Sequence, residues 1–195
     1  MVNNNTMTMT MAADARSSGY VTKSSAWSNR FIIAAIVQGA VITGLTLAVV
    51  AAQMLTSGVN IIQFLSLSFE GPAKWFFLGY IFYLILVVAI AVTAVFYSHL
   101  EVSMGRQIRG FRSVLAWIHF AGMNVGGAVT TIAMIFAGLA GSGILGIILG
   151  GSDSLQPNTA IMEQFVPIIA AFTGLLSIGV LAGGLAYILT YLRKN

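Results

Sequence analysis

The chain has 195 residues, of which 58% are hydrophobic and 7% charged, with a mean hydropathy of +0.93. A soluble domain carries about 25% charged residues, so so few polar groups cannot cover a water-exposed surface of this size, and lipid has to be part of the solvent. The absence of cysteine excludes a disulfide framework, thiolate metal sites and a cysteine nucleophile; the formal charge is +4, and the basic residues lie beside apolar runs, where they orient a membrane protein rather than bind nucleic acid.

Residues 1–30 are polar and rich in Ser, Thr and Asn. They lack the short apolar core of a signal peptide and are expected to form a flexible cytoplasmic tail, disordered up to about Ser24. Within it, Met7, Met9 and Met11 offer thioethers of a kind that bind Cu(I), although alternative start sites or chance also explain such a run. Asn4-Asn5-Thr6 fits a glycosylation sequon but falls on the cytoplasmic side.

Residues 31–195 then hold four apolar runs, at about 31–55, 75–98, 114–139 and 165–192. Each exceeds the ~20 residues that cross ~30 Å of hydrocarbon. None carries Lys, Arg or Asp at its middle. Backbone groups find no water in lipid, so each run is predicted to be helical, and continuous rather than alternating hydrophobicity argues against a barrel. The expected fold is an all-α membrane protein, a bundle of four transmembrane helices, multi-pass in the cell membrane. Arg16, Lys23, Arg30, Arg106, Arg109, Arg112, Arg193 and Lys194 share one side of that topology, against Lys74 on the other. The basic side is expected to be cytoplasmic, with both termini inside. Glu70, Asp153 and Glu163 fall on the opposite side.

The outer connections differ from each other. Residues 57–73 carry Ile61, Ile62, Phe64, Leu65, Leu67 and Phe69, which predicts a short segment lying on the outer membrane surface. Residues 138–151 are Gly-rich yet apolar, and read either as an extension of the third helix or as a short re-entrant turn that protein must cover.

Few side chains could carry chemistry. On the first run, Gln38 is expected to bond between helices; Gln53 is the other polar group there. On the second, Tyr83, Thr93 and Tyr97 lie near one face, as an aromatic belt and helix-contact hydroxyls would. His99 ends that run, and Glu101 beside it could orient His99, pair with Arg106 or stay solvated. His119 lies ~9 Å along the third helix. Two histidines on consecutive antiparallel helices could hold one haem iron, haem b being the candidate cofactor, or help bind a metal. A wet His99 and a His119 bonded to a neighbouring helix explain them equally simply. In the third run His119, Gly122, Met123 and Gly126 share one face, and Asn124, Gly127 and Thr131 another, so this helix is expected to be surrounded by protein. Gly122 with Gly126, and Gly179 with Gly183, form small-xxx-small pairs that allow close helix approach.

No intramembrane carboxylate or lysine is present to relay protons. There is no phosphate-binding loop, no His-Glu-x-x-His and no Ser-His-Asp set, so no catalytic residue and no protein metal site is assigned.

The stretch Trp117-Ile118-His119-Phe120-Ala121-Gly122-Met123-Asn124-Val125-Gly126-Gly127, after Phe96-Tyr97-Ser98-His99-Leu100-Glu101, resembles parts of the haem-copper oxidase superfamily and its small multi-span relatives or partners. The resemblance implies a partner or remnant role with His119 at a former ligand position. It does not imply catalysis, because the chain has only two histidines. The functional expectation is a non-catalytic membrane subunit of an oxidoreductase complex, a terminal oxidase or copper monooxygenase type serving electron transport, in contact with lipid and other membrane subunits. The alternatives are a single-haem or quinone-binding protein using His99 and His119, and a small transporter or channel.

Overall fold

A computed structural model describes residues 25–55, 60–67, 71–149 and 157–192. The tail with Met7, Met9, Met11 and the sequon, together with Glu70, Asp153, Arg193 and Lys194, lies outside these residues. The described residues form helices and no strands. Four of the helices are long and apolar enough to cross a membrane: α1 (Ala26–Leu55), α2 (Ala73–Ser103), α3 (Phe111–Gly141) and α4 (Thr159–Tyr191). Their outward faces are as apolar as the interior; Ile33 is 63% and Leu181 70% exposed. Such surface is stable against hydrocarbon and costly against water.

α3 is the centre of the bundle. Two thirds (67%) of its most apolar stretch is buried, against 11% for α1 and for α4. α1 packs on α2, α2 on α3, and α4 on the other side of α3. Glycine makes both α3 seams close. Facing α4, a Cβ on Gly122 would meet Gly179 Cα at 2.5 Å, and one on Gly126 would meet Leu176 N at 2.6 Å. Facing α2, one on Gly138 would meet Phe76 N at 2.2 Å. Side chains there would push the backbones apart. Between the two seams, Gly122–Gly127 winds as π-helix. The wider turn spreads its glycines over two faces, so that Gly127 meets Leu86 of α2 while Gly126 meets α4.

The helix ends depart from the apolar runs in informative ways. α1 starts at Ala26, inside the stretch that composition assigns to the tail. The cause is distant in sequence: the Glu101 carboxylate, at the end of α2, accepts hydrogen bonds from the Ser25 hydroxyl and from Trp27 N, the latter at 3.2 Å. Ser25 Oγ also accepts from Ser28 N at 3.1 Å. A carboxylate on the free N–H groups of a first turn satisfies orphan donors and complements the helix dipole. Glu101 is therefore neither a partner of His99 nor of Arg106. Arg106 instead donates to the Thr190 carbonyl at 3.0 Å and lies 5.7 Å from the Tyr191 ring centre, a cation at the C-terminal end of α4. α2 itself finishes in a π-helical turn, His99–Ser103.

The described residues of the connections at the other end include two short helices. Ile61–Leu67 forms a short helix packed on α1 and α2, with Ile61 and Leu65 buried; these two side chains point into the protein rather than along a membrane surface. The Gly-rich stretch divides. Residues 138–141 extend α3, and Gly143 then adopts φ 82°, a left-handed conformation that glycine takes without strain. A short helix, Ile144–Ile148, folds back on α3 with Ile144 fully buried.

Candidate ligand cleft around His119

His119 is carried by the first part of α3 and is 8% exposed. Four helices meet at its ring. Phe31 of α1 lies 5.3 Å away and Tyr97 of α2 6.0 Å, centre to centre. The Tyr97 hydroxyl is 3.2 Å from His119 Nδ1. From α4, Gly183 gives the ring its seat: a Cβ there would stand 2.2 Å from Nδ1. A buried imidazole at such depth needs a partner, and here Tyr97 is one.

The second nitrogen is different. Among the described residues nothing bonds Nε2, yet no buried polar side-chain atom there is left without a partner. Nε2 therefore keeps accessible surface. The His119 ring also lines a cleft of about 460 Å³ between α2, α3 and α4, together with Thr93, Phe96, Tyr97, Gly183 and Tyr187 among others. A second hollow of about 470 Å³ lies farther along the same helices, lined by Phe82, Leu86, Met123, Thr130, Thr173 and Leu176. Val180 borders both. α2 and α4 thus leave a groove between them, apolar along its length, with a hydroxyl and an imidazole at one end.

His99 is exposed on the π-helical turn and is not part of the cleft wall. The cleft offers one histidine, so a haem held between two histidines does not fit it. Asn124 directs its side chain to Phe120 O of its own helix at 2.9 Å, and its carbonyl accepts from Gln38 Nε2 at 3.2 Å. Gln38 Oε1 in turn accepts from the Tyr83 hydroxyl. Gln38 therefore bonds between helices, joining α1 to α2 and α3. Gly122, Gly126 and Gly179 form the α3–α4 seam and do not line the cleft, whereas Gly183 touches the candidate site itself.

Sequence reasoning did not find two features. Gly183 was legible only as a packing residue, because its spacing from Gly179 says nothing about which side chain lies opposite. The other is an aromatic–cationic cluster: Arg30 lies against the edge-to-face pair of Trp27 and Trp117, 4.6 and 4.7 Å from their ring centres. Its members come from two helices with no common motif.

No family of known proteins, no curated protein and no solved structure matches this chain.

Proposed function

We propose that this chain is a non-catalytic membrane component that binds a lipophilic ligand with a hydrogen-bonding head, of the quinone class, in the groove between α2 and α4. The observation that carries the reading is His119: its ring lines one end of an otherwise apolar groove, and its Nε2 takes no hydrogen bond among the described residues. In this reading Tyr97 donates to Nδ1, which leaves Nε2 as the N–H donor. A neutral carbonyl of a quinone head accepts from it without the cost of burying a charge. The apolar tail then lies along Met123, Thr130 and Leu176. The cleft volume is in the range of small-ligand sites.

A protein of this kind would serve a membrane oxidoreductase complex as a quinone-holding subunit, with partner subunits on its apolar outer faces. The proposed setting is the cell membrane, with the 104–110 loop and both termini cytoplasmic, as the arginines of that loop argue. Mild-detergent purification tests the partner, since a subunit should bring other membrane proteins with it.

The ligand is tested by equilibrium dialysis of the nanodisc-reconstituted protein with a decyl-tailed benzoquinone. Saturable binding of one equivalent is expected. His119→Gln should weaken it several-fold, the value of one neutral hydrogen bond. Uptake that never saturates, and that is the same in the variant, would mean simple partition into lipid and would end this reading.

A further inference from the structure

A third hollow opens at the end of the bundle where α1 begins and α2 ends. It has a volume of about 370 Å³ and is lined by Trp27, Arg30, Gln107, Arg109, Ser113 and Trp117, with Glu101 at its edge. We infer that this hollow binds the phosphate head of an anionic phospholipid. The inference is independent of the quinone reading.

The central group is Arg30. Its guanidinium carbon lies 4.6 Å from the Trp27 ring centre and 4.7 Å from that of Trp117, the two rings standing edge to face at 75° with their centres 5.4 Å apart. Contact with two indoles from different helices restrains the guanidinium and takes up none of its N–H donors. Among the described residues, no hydrogen bond or carboxylate takes up those donors. Glu101, the acidic residue of the same hollow, is committed to Ser25 and Trp27 N. Arg109 is exposed, also lines the hollow and bonds nothing else among the described residues. Two cations with unused donors, and neutral donors from Gln107 and Ser113 beside them, match the oxygens of a phosphate, to which guanidinium binds in bidentate fashion.

The surroundings favour a lipid over a free anion. Beside the hollow, the first turns of α3 expose Phe111 (69%), Val114 (53%) and Ile118 (37%), a stripe at helical spacing. Acyl chains can lie on that stripe while the head occupies the hollow. Indoles at a helix end and arginines next to them are also the groups found where hydrocarbon gives way to head groups. The local excess of positive charge selects a net-negative lipid over a zwitterionic one.

The test uses the full chain with Trp75→Phe, so that emission comes from Trp27 and Trp117. The protein is reconstituted in phosphatidylcholine vesicles containing, as a minor component, either brominated phosphatidylglycerol or brominated phosphatidylcholine. Brominated phosphatidylglycerol is expected to quench more strongly at equal fraction. Arg109→Gln should lower the relative affinity for it about tenfold, as loss of a charged hydrogen bond does. Arg30→Gln should do the same, while Lys74→Gln at the opposite end should change nothing. If Arg30→Gln fails to fold, Arg109→Gln decides alone. Equal quenching by the two lipids, or an excess that survives Arg109→Gln, overturns the inference. Loss of the excess on adding inorganic phosphate at matched ionic strength also overturns it, in favour of a soluble anion.

Discussion

His119 is held from four directions, and the tightest contact is with a residue that has no side chain. Adding one methyl group at Gly183 places it 2.2 Å from Nδ1, and the ring cannot retreat because Phe31 and Tyr97 stand on its other sides. Gly183→Ala is therefore expected to lower stability by about 1–3 kcal/mol, the usual cost of overpacking, read as the thermal midpoint in detergent. Tyr97→Phe keeps the ring and removes one hydrogen bond, so a smaller loss of about 0.5–1.5 kcal/mol is expected. An unchanged midpoint in Gly183→Ala would mean that His119 is not seated on α4. The importance of His119 was legible from its type and depth alone, since a polar group inside an apolar helix demands a partner. Which partner was not legible: Tyr97 looked like one of several hydroxyls on an α2 face, and only the crossing of three helices selects it.

Among the elements, α3 shows where hydropathy informs and where it fails. Its polar groups and glycines on two faces predicted a helix surrounded by protein, and it is the most buried of the four long helices. The π-helical stretch Gly122–Gly127 left no trace in the sequence, because a wide turn is chosen by what packs on it and not by local propensity. Gly126→Leu should separate α3 from α4, whose Leu176 backbone lies where the side chain would start. Loss of about 1–3 kcal/mol is expected, measured by unfolding in detergent; full retention would show that the seam is loose. Helix starts were equally hidden. α1 begins at Ala26 because of a carboxylate that is 76 positions from Ser25, a link that no window of sequence contains. Glu101→Ala removes that cap and should cost about 0.5–2 kcal/mol. The first turn of α1 should then exchange its amide hydrogens faster, while the middle of α1 stays protected.

Taken whole, the molecule has its two kinds of connection at opposite ends. The 104–110 loop lies at one end, and the segments around Asn60 and Asn158 lie at the other. The chain has no cysteine, so single replacements report cleanly. If the four long helices cross a bilayer, cysteines at Asn60 and Asn158 should react with an impermeant reagent from one side, and a cysteine at Ser103 only from the other. Reaction of Ser103Cys and Asn158Cys from the same side would break the four-crossing arrangement. The four long apolar helices were legible because they need only length and hydrophobicity. The groove between α2 and α4 was not, because it depends on both helices choosing α3 in preference to each other.

Glu101 and Arg106, a few residues apart, hold the start of the first long helix and the end of the last. During biosynthesis the first clasp can close once α2 and the beginning of its following loop are made, whereas the second must wait for the final turn of the chain. Neither depends on the peptide bonds between Leu149 and Pro157. The polypeptide should therefore be divisible there: two co-expressed pieces, one ending near Leu149 and the other beginning near Pro157, retain every contact of both clasps and of the α3–α4 glycine seam, and the break becomes a place where this protein tolerates fusion, insertion or permutation.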